Sequence, residues 1–332
     1  MATMADVARA AQVSITTVSH VVNGTRPVHE DTVRRVRAAI ERTGYTPNIL
    51  ARALARASTQ SVGLALGGLS NPYLGDVIAA VEHEAARHDL TVLVGDTRDD
   101  PEQELRIVQA LVRRRVDGLL LSPSPGAAER ALPWLAAQRV PVVLIDRFAD
   151  PRLDQVGSDN EEPTARLVEH LAELGHTRIG LVAGLPGLTT TAERVRGYRL
   201  GLARAGLAVD EALIGAGGSE RAAAERATAA LVAAADPPTA LVSGNNVMTI
   251  GAMRALADRG LRVPDDMALV GFDDFDWAGL FEPRLTVVAQ PAGEIGACAV
   301  GLLRARLDDP SRAPQAVRLP ARFVHRASCG CR

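Results

Sequence analysis

Residues 4–22 read MADVARAAQVSITTVSHVV, a stretch that predicts two short helices joined by a tight turn. Thr3 can cap the first helix, and Asp6 three residues later completes a capping-box pattern. Ser14 is placed to cap the second helix, whose apolar residues return at helical spacing. That buried stripe is Val18, Val21 and Val22. The second helix therefore has other faces left for contact with another molecule.

In a helix-turn-helix the second helix enters the major groove of DNA, and residues near its N-terminus meet base edges. The residues of the second helix outside the apolar stripe are Ile15, Thr16, Thr17, Ser19 and His20. Short polar or methyl-bearing side chains of this kind hydrogen-bond bases or contact the thymine methyl group. A small helical hairpin that only packs on the domain behind it is an equal alternative for this stretch alone.

The residues that follow favour the DNA-binding interpretation. Asn23 ends the second helix, and residues 30–43 predict a third helix with apolar residues inside and arginines outside. Gly44 ends that helix, and Asn48 is placed to cap a short fourth helix over residues 49–56.

The strings DVARAAQVSITTVSHVVNGTRPV, GYTPN and ARALA resemble the DNA-binding head and hinge of the lactose-repressor/galactose-repressor (LacI/GalR) family of bacterial transcription factors. The resemblance runs nearly residue by residue over positions 3–57, and the purine-repressor branch is nearest. It implies that Ile15, Thr16 and His20 read bases and that Leu54 wedges into the minor groove. It also implies phosphate contacts for Thr17, Ser19, Asn23 and Tyr45. The whole expected DNA interface is Thr3, Ser14, Ile15, Thr16, Thr17, Ser19, His20, Asn23, Tyr45, Asn48 and Leu54.

Length and composition set the outer bounds. With 332 residues, 47% of them hydrophobic and 23% charged, the chain has room for this head and one or two globular domains. Residues 1–60 hold eight arginines against four acidic residues, although the whole chain has a net charge of −2. This imbalance predicts phosphate contact limited to the head. No apolar run approaches the ~20 residues of a membrane span, and charged residues interrupt the N-terminus, so a cytoplasmic protein is expected.

Beyond a polar break at 58–61, strands and helices alternate. Strands are predicted at 62–66, 91–95, 118–121, 141–145, 178–183, 239–243 and 268–272. Helices are predicted at 72–88, 101–114, 126–138, 160–174, 192–206, 219–234 and 246–259. This alternation indicates two parallel sheets covered by helices, with a ligand cleft at the carboxyl ends of the strands.

The body resembles the periplasmic sugar-binding-protein fold that the same family carries as its effector domain. LGHTRIGLVAG and GLRVPDDMALVGFDD are family-like strings, and the resemblance covers residues 60–326. The predicted fold class is α/β, with an N-terminal all-α helix-turn-helix head and a periplasmic-binding-protein-like body of two parallel-sheet α/β subdomains. The predicted domains are a helix-turn-helix domain (1–47), a hinge helix and linker (48–58), and an effector-binding and dimerisation domain (59–332).

Polar residues at or near strand ends are candidates for the cleft: Asn71, Tyr73, Asp146, Arg147, Arg194, Asn245, Asn246, Asp273 and Gln290. Carboxylates, amides and arginines hydrogen-bond hydroxyl-rich ligands, and Tyr73, Phe148 or Trp277 can cover an apolar sugar face. The resemblance implies effector contact for Asp146, Arg194, Asn245 and Asp273. Each candidate has a plainer alternative as a helix cap or a surface ion pair.

Asn246 stands where the family often has aspartate, which removes a negative charge from the predicted cleft. Beside Arg147 and Arg194, this favours an effector with a carboxylate or phosphate over a neutral sugar. The effector classes considered are therefore a sugar, a sugar acid and a sugar phosphate.

The predicted function is a sequence-specific transcriptional regulator, a repressor by family habit, whose operator affinity a small-molecule effector controls. No leucine heptad follows RFVHR, so a homodimer and a pseudo-palindromic operator are expected. The alternative is a cytoplasmic sugar-binding protein or an enzyme on the same fold, but no phosphate loop, nucleophile elbow or metal-spaced histidines favour an enzyme. The cysteines Cys298, Cys329 and Cys331 show no metal-ligand spacing with histidine, so neither a metal nor a cofactor is expected.

Overall fold

The computed structural model describes residues 2–23, 26–45 and 58–331. The chain divides into two compact units, Met1–Gln60 and Ser61–Arg332, here called the head and the body. The predicted fourth helix at 49–56 lies outside the described residues.

The head contains three described helices: α1 (Met4–Ala11), α2 (Ile15–Asn23) and α3 (Glu30–Thr43). Their shared core is Val7, Ala8, Ala11, Val18, Val36, Ala39 and Tyr45. Arg42 of α3 donates from Nη2 to the carbonyl oxygen of Ala10 at 3.1 Å, which ties the third helix to the first. The predicted three-helix head is confirmed.

Both predicted caps of the helical hairpin are present. Thr3 Oγ1 accepts from the backbone N–H of Asp6 at 3.3 Å, and the Asp6 carboxylate accepts from the Thr3 N–H at 2.9 Å. The Thr3 hydroxyl also donates to Asp6 Oδ2 at 2.7 Å, and this hydrogen bond and the one from the Thr3 N–H lower the pKa of Asp6. Gln12 adopts a left-handed conformation at φ 54° in the turn, and Ser14 Oγ then accepts from the Thr17 N–H at 3.0 Å. The caps fix where each helix begins.

Two six-stranded sheets form the framework of residues 61–331. The first has the order β11-β5-β4-β3-β1-β2 and is wholly parallel. Its strands are β1 (Ser61–Leu66), β2 (Thr91–Asp96), β3 (Gly118–Leu121), β4 (Val142–Ile145), β5 (Asp154–Ser158) and β11 (Ala316–Leu319). The second has the order β12-β10-β9-β8-β6-β7, with only β12 antiparallel. Its strands are β6 (Ile179–Ala183), β7 (Ile214–Ala216), β8 (Ala240–Ser243), β9 (Ala268–Phe272), β10 (Thr286–Ala289) and β12 (Arg322–Val324).

Helices cover both sheets. They are α4 (Pro72–Ala86), α5 (Pro101–Arg113), α6 (Ala131–Ala137), α7 (Glu161–Glu173), α8 (Thr189–Arg204), α9 (Arg221–Val232), α10 (Asn246–Ala257) and α11 (Ala292–Asp308). The predicted helix at 126–138 is instead a 3-10 turn, Ala127–Glu129, followed by α6. No helix in the described ranges is long and apolar enough to span a membrane.

The chain crosses between the two sheets three times. It leaves the first sheet after β5, returns after β10, and leaves again between β11 and β12. Each subdomain therefore contains segments distant in sequence, and the three connections at 159–160, 290–291 and 320–321 join the subdomains. Such short multiple connections suit a hinged cleft.

Helices α7 and α8 pack closely in the second subdomain, and glycine makes the approach possible. A Cβ atom at Gly201 would lie 2.5 Å from the carbonyl oxygen of Ala165 and 2.7 Å from Val168 Cβ. Gly201→Ala should therefore lower the free energy of unfolding by about 1–3 kcal/mol through overpacking.

Gly301→Ala is the matched control, since Gly301 is an exposed position of α11 where a Cβ meets nothing within 4 Å. It should raise the free energy of unfolding by up to about 1 kcal/mol through helix propensity. Urea unfolding of both variants measures the difference. Equal effects of the two substitutions would contradict the close-packing argument.

Candidate functional site

A cleft lies between the two sheets of the body, with about 690 Å³ of space including its open mouth. Ligand pockets in proteins span roughly this size. Its polar lining includes Ser70, Asn71, Tyr73, Asp99, Asp146, Arg147, Thr190, Thr191, Arg194, Ser219, Asn245, Asp273 and Gln290. Its apolar lining includes Leu74, Leu181, Leu188, Val195 and Val247. Eight of the nine predicted effector residues therefore meet in one place.

Two aspartates hold corresponding positions in the two subdomains. Asp146 directly follows β4 and Asp273 directly follows β9, and both have positive φ, at 69° and 72°. The left-handed region costs most residues free energy, although aspartate tolerates it better than most. Both are nearly buried, with 7% and 2% exposed. The backbone thus holds a carboxylate at the strand end on each side of the cleft.

Hydrogen bonds and ion pairs organise the first subdomain's side of the cleft. The Tyr73 hydroxyl donates to Asp146 Oδ1 at 2.9 Å. Arg147 Nε lies 3.5 Å from Asp146 Oδ2, and its other end pairs with Asp99, with Nη2 at 3.4 Å from Oδ2. Burial raises the pKa of Asp146, while Arg147 and Arg194 oppose that rise. Burial also raises the pKa of Tyr73 well above its usual value, so the hydroxyl stays neutral and keeps donating.

Arg194 projects from α8 on the opposite side. Its guanidinium lies 3.8 Å from the centroid of the Phe272 ring, Nε donates to Asn160 Oδ1 at 2.9 Å, and Nη1 donates to the carbonyl oxygen of Gly244. Three contacts hold the guanidinium in one position. Nη2 has no acceptor among the described residues, so Arg194 can offer that nitrogen to a ligand.

Two asparagines act as helix caps, as the plainer alternative predicted. Asn71 Oδ1 accepts from the Tyr73 N–H at 2.9 Å, and Asn245 Oδ1 accepts from the Met248 N–H at 2.7 Å. Both also line the cleft. Because capping uses only the oxygen, each side-chain NH₂ group can still donate. Gln290 donates from Nε2 to Asp273 Oδ1 at 2.6 Å, which leaves Asp273 Oδ2 for another donor.

Asn246 does not line the cleft. Its side chain is wholly buried, and neither its oxygen nor its nitrogen finds a hydrogen-bond partner among the described residues. Asn245 occupies the cap position at the cleft, so the next residue, the first of α10, turns inward. The charge argument that began from Asn246 therefore loses its basis.

Of the three aromatic residues considered as sugar covers, only Tyr73 lines the cleft. Phe148 lies under the guanidinium of Arg318, 4.1 Å from its ring centroid. Trp277 is 43% exposed and packs against Phe275 and Phe281 outside the cleft. Position after a strand end did not determine which way these rings point.

Asp99 is the main functional candidate that sequence reasoning missed. It follows β2, lines the cleft, and pairs with the buried Arg147. Like Asp146, Asp99 follows a strand and has a positive φ, here 53°. The rule of strand ends, applied to every strand, identifies it.

The second helix of the head carries the predicted DNA-reading residues. Ile15 is 52% exposed, and Ser14 and Thr16 are exposed beside it, although Ser14 Oγ is engaged as the cap. Thr17, Ser19 and His20 are half-buried on the same helix, and Asn23 is its last residue. Thr3 is exposed and caps α1, whereas Tyr45 is buried in the core of the head. Asn48 and Leu54 lie outside the described residues. The exposed Ile15 side chain is able to contact an apolar group such as a thymine methyl.

Comparison with known protein families divides the chain in the same order. Residues 3–48 match the family described as bacterial regulatory proteins, lacI family. Residues 168–329 match a periplasmic binding protein-like domain.

Individual proteins are similar over nearly the whole chain. The HTH-type transcriptional repressor PurR of Aliivibrio fischeri (strain ATCC 700601 / ES114) is 35% identical over 332 residues, 99% of this chain and 98% of the relative. The structure of the lac repressor dimer bound to operator and the anti-inducer ONPF is 29% identical, with a TM-score of 0.87 and 99% coverage of both chains. The complex of the transcriptional regulator CelR with cellobiose is 28% identical, with a TM-score of 0.74, covering 99% of this chain and 100% of that one. The chain belongs to the LacI family of bacterial regulatory proteins, and it is a DNA-binding transcriptional regulator with a helix-turn-helix head and a periplasmic-binding-protein-like body.

Proposed function

We propose that this protein is a repressor that binds a pseudo-palindromic operator as a homodimer and changes its operator affinity when a neutral, hydroxyl-rich ligand occupies the cleft. The observation that carries the proposal is that three aspartates and two arginines line the cleft, and Arg147, one of those arginines, is already ion-paired with Asp99 and Asp146. The lac repressor was solved as a dimer on its operator, and CelR was solved with a disaccharide in complex. Both precedents support the same partners here.

The charges of the cleft support a neutral ligand. Three aspartates and two arginines line it: Asp99, Asp146, Asp273, Arg147 and Arg194. Arg147 is buried between two of the aspartates, so little of its charge is available to a ligand. An added carboxylate or phosphate would meet the remaining negative charge in a site with poor solvent screening. Hydroxyl groups, which both donate and accept, suit the free oxygen of Asp273 and the free donors of Arg194 and Asn245.

A thermal-shift series with matched ligands tests this assignment. Neutral monosaccharides and disaccharides are compared with the corresponding sugar acids and sugar phosphates. A ligand at a hundred times its dissociation constant adds about 2.7 kcal/mol of stability, enough for a shift of several degrees. We expect at least one neutral sugar to raise the Tm and its acid or phosphate to fail. A response confined to the charged partner of each pair would refute the neutral-ligand assignment.

For the head we infer that Ile15, Thr16 and His20 read base edges from α2 and that the flanking residues contact phosphates. The exposed position of Ile15 and Thr16 supports base reading. We propose the matching division of the chain into a DNA-reading domain (1–47), a hinge (48–58) and an effector domain (59–332). A repressor works on chromosomal DNA and therefore acts in the cytoplasm, and we propose no enzymatic activity.

A hydrogen-bonded chain connects the cleft with a crossover between the subdomains, and we propose that it transmits effector binding. Arg194 donates to Asn160 Oδ1, and Asn160 Nδ2 donates to Glu193 Oε2 at 2.8 Å. Glu193 Oε1 accepts from Arg318 Nη2 of β11 at 2.6 Å. Asn160 lies in the first crossover, and Arg318 lies in the first sheet. A ligand that moves Arg194 would thereby shift the relation of the two subdomains.

Arg318→Gln should uncouple the two binding events. Since Arg318 is not in the lining of the cleft, effector affinity should change less than threefold. The effector's influence on operator affinity should fall roughly 3- to 10-fold, equivalent to about 0.7–1.4 kcal/mol of coupling. Fluorescence anisotropy with labelled operator, with and without saturating effector, gives the coupling directly.

Arg322→Gln provides the control, because Arg322 is exposed on β12 just beyond the crossover at 320–321 that follows Arg318. It should leave the coupling unchanged. If both glutamine variants lose coupling equally, the coupling depends on positive charge near the crossover and not on the specific Arg318–Glu193 ion pair.

A further inference from the structure

Four side chains with metal-binding atoms meet in the second subdomain, and none of them lines the cleft. His170 lies in the last turn of α7, His325 follows β12 directly, and Cys329 and Cys331 lie in the C-terminal tail. Their ligand atoms all lie within 4.8 Å of one another. Sequence spacing could not link this set, because His170 is separated from Cys331 by 161 positions.

The distances fit a small tetrahedral ion. Cys329 Sγ lies 3.1 Å from Cys331 Sγ, Cys331 Sγ lies 3.3 Å from His170 Nε2, and Cys329 Sγ lies 3.5 Å from His325 Nε2. Zinc binds thiolate at about 2.3 Å and imidazole at about 2.0–2.1 Å, which places tetrahedral ligand atoms roughly 3.3–3.8 Å apart. Changes of up to about 1.5 Å in the separations between these atoms therefore bring all four to a common centre.

We propose that His170, His325, Cys329 and Cys331 form a structural Zn²⁺ site. Two thiolates and two neutral imidazoles are a ligand set that zinc prefers, and they balance its charge fully. All four coordination positions are filled by protein, which is the arrangement of structural zinc and leaves no place for a substrate.

A supporting contact lies behind one sulfur. Thr286 Oγ1 accepts from the backbone N–H of Arg326 at 3.0 Å, so its own proton is directed elsewhere. That hydroxyl lies 3.3 Å from Cys329 Sγ and donates to it. Hydrogen bonds of this kind hold and orient metal-bound ligands. Cys329 itself is 1% exposed, whereas His325 is exposed, so the ion can enter from the solvent side.

The position of the site would let a bound ion cross-link separate segments of the chain. It joins the end of α7 to the end of β12 and the adjoining tail, which are distant from α7 in sequence. Cys329 and Cys331 pack against the core of the second subdomain together with Leu171 and Phe323. Bound zinc would cross-link the tail to this core and stabilise the subdomain that carries Arg194 and Asp273.

Metal titration of the full chain tests the site. Protein reduced and stripped with a chelator is titrated with Zn²⁺ against a chromophoric competitor, and in parallel with Co²⁺. We expect one Zn²⁺ per chain, a rise of several degrees in Tm, and a cobalt spectrum with intense tetrahedral d–d bands and a thiolate charge-transfer band. Failure to take up zinc, or a cobalt spectrum without the thiolate band, would overturn the proposal.

Variants locate the binding atoms. Cys331→Ser and His325→Gln should each weaken zinc binding about 100-fold or more, and His325→Gln changes an exposed residue. Cys298→Ser is the control, since Cys298 is a half-buried thiol on α11 outside the cluster, and it should bind zinc like the parent protein. Equal binding by the parent and the two ligand variants would overturn the site. So would a Cys329–Cys331 disulfide that persists in reductant, which mass spectrometry detects by the loss of two hydrogens.

Discussion

Asp273→Asn should weaken effector binding by about 10- to 100-fold and leave operator binding without effector unchanged. Gln290 already donates to Oδ1 of Asp273, so Oδ2 is the atom that a ligand hydroxyl can reach. Asparagine puts an NH₂ group near that position and removes the charge. A hydrogen bond to a charged group contributes about 1.5–3 kcal/mol, and 1.4 kcal/mol corresponds to a factor of ten. Isothermal titration with the sugar found in the thermal-shift series measures the loss.

The choice of asparagine matters because Asp273 has a φ of 72°. Asparagine adopts this conformation readily, so the backbone should not move. Asp276→Asn serves as the control, since it removes an equal charge from an exposed position three residues along the chain. Unchanged effector affinity in Asp273→Asn, or an equal loss in Asp276→Asn, would remove Asp273 from the site.

The residues of the cleft that follow strands were predictable because of one topological rule. In a parallel sheet all carboxyl ends meet at one edge, so residues after β1, β4, β8, β9 and β10 had to gather near one another. The rule gives position along the chain but not the direction of a side chain. Asn246 and Trp277 illustrate that limit, since each follows a strand closely and neither lines the cleft. The inward turn of Asn246 depends on the cap that Asn245 makes.

The alternating strands and helices were confirmed where apolar residues ran continuously, and elements without that pattern were missed. β5 reads DQVGS, and its Asp154 is buried only because Arg306 and the N–H of Gln315 bind its carboxylate at 3.0 and 2.9 Å. α11 contains Gly296, which lowers helix propensity. A Cβ there would lie 2.6 Å from Ala80 Cβ of α4, so the glycine permits close packing. The burial of Asp154 and the close packing at Gly296 both depend on residues distant in sequence. The local sequence pattern therefore does not predict either element.

Thr16→Glu should reduce operator affinity by about 100- to 1,000-fold. Thr16 is an exposed residue near the start of α2, where a recognition helix meets base edges. Loss of one base contact accounts for about 1–3 kcal/mol, and the added carboxylate is repelled by the phosphates. Anisotropy with labelled operator at several salt concentrations measures both parts, since the repulsion weakens as salt rises and the lost base contact does not.

Ala38→Glu is the control that separates the loss of a base contact in Thr16→Glu from the effect of added negative charge on the head. Ala38 is an exposed residue of α3, so the substitution adds the same charge to the same basic head and suits a helix. Its effect on operator affinity should be less than about fivefold and should vanish in high salt. If the two glutamates weaken binding equally at every salt concentration, the head acts only through its net charge. A large salt-resistant loss confined to Thr16→Glu instead requires α2 to lie against the bases, because only a residue in contact with them can change affinity when phosphate attraction is screened.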